Sequence, residues 1–241
     1  DAVQRLAQRL ALAIGRRLDD SQPWVDGHLG GIGGGLTVRL HAVLPPIAAA
    51  GTCLSLRVPA RRSFALEGLV SAGSLPPDGA GVLRALVARR VPFLVSGGTG
   101  TGKSTLLSAL LALVPAEERI VLVEDARELR PAHPHCVRLE GRPPNGEGAG
   151  AIALTTLVRQ ALRMRPDRVV LGEVRGGELA DLLTALNTGH EGGCGTVHAN
   201  SIADIPARLE ALAALGGLGR DACHAQVVAA LKAVIHVRRE R

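Results

Sequence analysis

The spacing of apolar and polar residues changes character about a quarter of the way along the chain. Over residues 1–18, Val3, Leu6, Leu10, Ala13 and Ile14 recur at helical spacing between arginines, and Asp19-Asp20-Ser21 ends the run, which predicts an amphipathic helix. Residues 27–35 are glycine-rich and read as a loop. Alternation over residues 36–44 and 53–58 predicts two short strands separated by Pro45-Pro46 and Gly51. One helix and two strands bury little, so residues 1–67 read as a truncated, partial α+β N-terminal domain. Residues 68–81, with Ser71, Gly73, Ser74, Pro76, Pro77 and Gly79, have the composition of a linker and of a hinge. Residues 82–241 change to apolar runs at 93–96, 120–123, 169–172, 195–198 and 234–237. Helical segments at 103–113, 152–163, 177–187, 203–214 and 220–232 alternate with them, a strand-helix pattern that predicts an α/β domain with a parallel central sheet.

Composition narrows the class without changing that picture. At 241 residues and 46% apolar, the chain can bury one good α/β core plus a small accessory unit, which excludes a disordered chain. No apolar run approaches the roughly 20 residues of a membrane helix, and the first residues form no apolar leader, so a cytoplasmic protein without an integral membrane segment is expected. Cys53, Cys136, Cys194 and Cys223 lie far apart without a C-x-x-C pair and read as reduced thiols filling core space. The net charge of +6 comes from arginines spread along the chain. With one Trp, two Phe and no Tyr there is little to stack on bases, which argues against sequence-specific nucleic-acid binding.

The chemistry concentrates in one segment. Gly97-Gly98-Thr99-Gly100-Thr101-Gly102-Lys103-Ser104, followed by Thr105, has the spacing G-x-x-x-x-G-K-[ST]; it follows a strand-like run and opens a helical one, the context this motif requires. Glycines let backbone N–H groups curl around a phosphate, and the helix N-terminus adds its positive dipole end. Lys103, one of only two lysines in the chain, is suited to the β/γ oxygens of a nucleoside triphosphate, and Ser104 to Mg²⁺. Acids follow at strand ends: Glu124-Asp125 after residues 120–123, and Glu173 after residues 168–172. In a parallel sheet such ends lie at the carboxyl edge, where ligands bind.

These segments together carry a resemblance. Met164-Arg165-Pro166-Asp167 precedes the strand ending Gly172-Glu173-Val174-Arg175, and Thr188-Gly189-His190 runs on to Thr196-Val197-His198-Ala199-Asn200. With Ile120-Val121-Leu122-Val123-Glu124-Asp125 and the phosphate loop, they resemble the type II/IV secretion ATPase family in its Walker A, aspartate-box, atypical Walker B and histidine-box motifs, in that order. Arg39-Leu40-His41-Ala42-Val43-Leu44-Pro45-Pro46 and Glu191-Gly192-Gly193-Cys194-Gly195-Thr196 look closest to its tight-adherence pilus and conjugal-transfer-associated branch.

The resemblance implies a RecA-like P-loop ATPase core that uses ATP and Mg²⁺. It implies a cytoplasmic homo-oligomer, a hexamer, acting at the cytoplasmic face of an inner membrane on a platform protein in secretion or pilus assembly. It assigns Glu173 as catalytic glutamate, Glu124 as the acid near Mg²⁺ and water, and His198 as a γ-phosphate sensor. Ser104 becomes the metal ligand, with Glu124 and Glu173 acting on the ion through water, and Arg39 and Arg57 become N-terminal-domain arginines reaching the nucleotide as the hinge closes. The sequence departs from the family in three places: strands expected before the first helix are missing, residues 30–36 read Gly-Gly-Ile-Gly-Gly-Gly-Leu where a short Asp-Gly turn is usual, and the chain stops at Arg241. Two alternatives stay open, a RecA-like nucleic-acid translocating ATPase and a non-catalytic nucleotide-binding assembly subunit.

Overall fold

A computed structural model describes residues 1–32, 36–58, 64–145 and 148–239. The chain divides into two compact units, residues 1–62 with 143–151, and residues 63–142 with 152–241. Among the described residues no helix is long and apolar enough to cross a membrane.

In the first unit, helix α1 (Ala2–Ala13) starts at Asp1, whose carboxylate accepts from the Val3 N–H at 2.9 Å and satisfies one of the free donors of the first turn. It packs on an antiparallel sheet in the order β1 (Trp24–Ile32), β2 (Leu36–Val43), β3 (Cys53–Arg57). Alternation puts Val25 and Leu29 of β1 and Val38, Leu40 and Ala42 of β2 into one core with Ala7 and Ala11 of α1. The glycine-rich stretch expected as a loop is therefore strand up to Ile32, and residues 33–35 lie outside the described residues. The reason is pairing: the backbone of β1 is committed to an antiparallel ladder with β2, Gly27 facing Leu40 and His28 facing Arg39. Cys53 is exposed on β3, contrary to the expected core role, whereas Cys194 and Cys223 are buried.

The second unit begins with α2 (Leu66–Ser71) and α3 (Pro77–Ala88), which occupy most of the segment expected as a linker. Each glycine inside a helix costs roughly 0.5–1 kcal/mol. Burying a leucine or valine returns about 1.5–3 kcal/mol. Leu66, Leu83 and Val87 are all at most 5% exposed and pack with Leu106, Leu107 and Leu110, so burial wins over local composition. Pro76 and Pro77 start α3, where a missing N–H costs nothing.

After these helices come β4 (Phe93–Gly97), α4 (Lys103–Leu111), β5 (Ile120–Glu124), β6 (Cys136–Glu140), α5 (Leu154–Leu162), β7 (Arg168–Val174), α6 (Glu178–Asn187), β8 (Cys194–His198), α7 (Ile205–Leu215), α8 (Arg220–Ala230) and β9 (Ala233–Val237). The strands form a parallel sheet in the order β6-β5-β7-β8-β4-β9. Alternate residues serve opposite faces. Phe93, Val95, Ile120, Leu122 and Val170 meet α2, α3 and α4, while Leu94, Val121, Val123, Leu171 and Val197 meet α5 to α8. This is the α/β core with a parallel central sheet that the strand-helix pattern predicts, preceded by a small antiparallel sheet.

Between β6 and α5 the chain leaves the second unit at residue 143 and re-enters it at 152. A two-residue bridge, Arg142 to Ile152, closes the neck of this excursion. Within the first unit, Arg16 Nη1 donates to the Pro144 carbonyl at 2.7 Å.

Candidate functional site

Sheet order brings the candidate residues together. The carboxyl end of β4 runs into the phosphate loop, its neighbour β8 ends in His198, the next strand β7 carries Glu173, and β5 beyond it ends in Glu124. Gly97 and His198 are register partners, so the histidine stands beside the start of the loop. This is the edge at which parallel α/β sheets bind ligands.

The loop is built for close approach. Gly102, at φ +101°, caps α4 in the left-handed region, and a Cβ at Gly97 would strike the Val237 carbonyl. Thr101 Oγ1 donates to the Gly98 carbonyl at 3.0 Å and braces the turn. Lys103 is 7% exposed. Its ammonium donates to the carbonyls of Gly97 at 3.0 Å and Gly98 at 2.8 Å, and lies 3.3 and 3.5 Å from the two ring nitrogens of His198. Burial lowers the Lys103 pKa, while Glu173 and then Glu128 pull it back up. A cation held this way in a low-dielectric loop interacts strongly with any phosphate that reaches it.

Glu173 owes its direction to a bulge. Leu171 pairs with Gly195 and Val174 with Val197, so β7 carries one residue more than β8 across that interval. Such an extra residue re-aims a side chain. Thr196 Oγ1 donates to the Gly172 carbonyl at 2.7 Å and holds the bulge. Glu173 Oε1 lies 2.7 Å from His198 Nε2, and Oε2 lies 2.5 Å from Arg175 Nη2. Burial lowers the His198 pKa ahead of the opposing pull of Glu173, with Lys103, Arg175 and Arg208 lowering it further.

Glu124 is placed differently from Glu173. It is 3% exposed, and its Oε1 accepts from the backbone N–H groups of Leu129 at 2.8 Å and Glu128 at 3.0 Å. It therefore braces the loop after β5. Burial pushes its carboxyl up to about 7 against those two donors and Arg138. The braced loop carries Glu128, whose Oε2 accepts from Ser104 Oγ at 3.4 Å. Ser104, Glu128, Asp125 and Glu173 offer oxygen donors, which suits a hard cation. Among the described residues no three His, Cys, Asp or Glu side chains converge as a metal cage, and Mg²⁺ held largely by phosphate and water needs none.

Arg39 and Arg57 belong to the first unit, where they are register partners across β2 and β3. Arg39 grips both carboxylate oxygens of Asp26, at 3.0 and 3.1 Å. Sequence reasoning missed Glu128, Arg175 and Glu178. The last accepts from the N–H groups of Arg175 at 2.6 Å and Gly176 at 2.7 Å.

The profile of the family described as "Type II/IV secretion system protein" matches residues 2–240. A putative conjugal transfer protein of Mycobacterium tuberculosis is 62% identical over all 241 residues, which cover 68% of that relative. The type IV secretion system protein PtlH of Bordetella pertussis is 42% identical over 186 residues, 68% of this chain and 55% of PtlH. The chain thus spans about two-thirds or less of these relatives. Among solved structures, the VirB11 ATPase of the Brucella suis type IV secretion system, in complex with sulphate, matches with a TM-score of 0.60 and 27% identity, covering 97% of this chain and 74% of that one. With a phosphate loop, an acidic bulged strand and a histidine-ended strand side by side, and a family match spanning nearly its whole length, the chain belongs to the type II/IV secretion system protein family.

Proposed function

We propose that this chain is the ATP-hydrolysing motor part of a conjugal-transfer or related secretion machine, working in the cytoplasm as a hexamer against an inner-membrane platform protein. The observation that carries the reading is the juxtaposition of a buried lysine in a phosphate loop with a Glu173–His198 pair at the adjoining strand ends. Lys103 and the backbone N–H groups of the loop bind phosphate, and Ser104 would hold Mg²⁺. When bound, Mg²⁺ neutralises charge on the phosphates. Glu173 orients the attacking water and accepts its proton, while His198 hydrogen-bonds the carboxylate and lies close enough to Lys103 to sense the terminal phosphate. Glu124 shapes the loop that presents Glu128 to Ser104. Arg39 stands outside this minimal set, because drawing it to a phosphate first breaks its two bonds to Asp26.

The test separates binding from chemistry. Lys103→Ala is expected to weaken ATP binding by about 2 kcal/mol or more, the loss of a charge-assisted contact in a partly dry site. Glu173→Gln is expected to keep binding and lose turnover by at least about 10²-fold. Equilibrium nucleotide binding and phosphate release decide it. Wild-type protein that releases no more phosphate than Glu173→Gln sinks the hydrolytic reading, and light scattering with a non-hydrolysable ATP analogue tests the hexamer.

A further inference from the structure

We propose that Arg175 is a positioning residue for hydrolysis, holding the Glu173 carboxylate in place against His198. This rests on the ATPase reading above. Glu173 sits on a bulge of β7, which aims its side chain. Two contacts fix the carboxylate, one to each oxygen: His198 Nε2 at 2.7 Å on Oε1 and Arg175 Nη2 at 2.5 Å on Oε2.

An arginine that is 50% exposed is ordinarily a mobile arm, and an exposed ion pair of that kind carries little. This one differs at its root. The buried carboxylate of Glu178, 5% exposed in the first turn of α6, accepts from the N–H groups of both Arg175 and Gly176, so the backbone from which the arm extends is pinned. Its far end is forked between two acids, with Nη1 3.7 Å from Asp125 Oδ2 while Nη2 holds Glu173. A planar fork serves two carboxylates at fixed angles, which an ammonium does not. The line Glu178, Arg175, Glu173, His198 therefore runs from the start of α6 to the phosphate loop, and Glu173 is held at both oxygens before any water reaches it. Acting through Glu173, the arginine affects the chemical step and leaves nucleotide binding alone.

A double-mutant cycle on the full chain tests this, with wild type, Arg175→Gln, Glu173→Gln, the pair together, and Arg175→Lys as the charge-preserving variant. Arg175→Gln is expected to lower kcat about tenfold with KM and ATP affinity within about twofold. In single-turnover measurements on the Glu173→Gln background it is expected to cost nothing further, because the group it positions is gone. Arg175→Lys is expected to recover part of the loss. A loss of the same size in the Glu173→Gln background, or weakened ATP binding, overturns the proposal by showing that Arg175 acts on the phosphates themselves. Unchanged kcat overturns it by making the pair a surface contact. Wild-type protein without turnover overturns the hydrolytic reading and this role with it, and is told apart from a working ATPase that ignores Arg175.

Discussion

At Glu124 a carboxyl group buried to 3% exposure accepts two backbone N–H groups, and burial outweighs them, pushing it up to about 7. A folded-state pKa raised above the unfolded value means that the folded chain binds the proton more tightly. The stability this group contributes is present below about 4.5, its ordinary value, and is lost as pH rises through about 7. Glu124→Gln keeps an acceptor oxygen and cannot titrate. In urea unfolding, the variant is therefore expected to gain on wild type between pH 5 and pH 8 by on the order of 3 kcal/mol, at about 1.4 kcal/mol per pH unit. Curves that stay parallel across that range refute the buried titration. Lys103 and Ser104 were legible in the sequence from the spacing of the phosphate-loop motif, Glu173 from its place at the end of an apolar strand run, and His198 from the family resemblance alone. Arg175, Glu128 and Glu178 were not, since they are set by turns after those strands, and turn geometry leaves no periodic trace.

Among the elements, β7 shows how tightly the site is built. A Cβ added at Gly172 would lie 2.5 Å from the buried Cγ of Glu124, and Glu124 in turn has its oxygen committed to the loop after β5. Gly172→Ala must displace one or the other, an overpacking cost of roughly 1–3 kcal/mol. It is also expected to lower turnover, because the bulge carries Glu173. Thermal melts and phosphate release on the same preparation check both, and an alanine variant equal to wild type in each would show that the bulge is slack. The strands and helices flanking the phosphate loop were legible because their apolar runs are clean. The errors fell where glycine and proline dominate. The glycines of β1 lie in a strand laddered to β2, and the prolines before α3 start a helix, yet local composition gives a loop and a linker at the two places. β6 went unread because it is an edge strand of half-buried residues broken by Arg138.

For the whole molecule the two units have unequal means of stability. The first buries a single small cluster, in which Leu18, Val25, Leu29, Val38, Leu40 and Leu44 pack with alanines of α1 and β2, whereas the second buries leucines and valines on both faces of its sheet. Less apolar burial in a small unit means less stability. Trp24, the one tryptophan, lies on β1 and reports on the first unit, while most helices lie in the second. In urea, the Trp24 fluorescence transition is expected to precede the far-UV circular dichroism transition, and coincident curves would make the two units one cooperative block. The excursion at residues 143–151 adds a consequence in time. A chain made from its N-terminus has residues 1–62 early, but the ribosome must add residues 63–142 before the last piece of the first unit exists. At roughly 5–20 residues per second, that is a wait of roughly 4–16 s. The unit that is begun first is thus finished only with much of the second already synthesised.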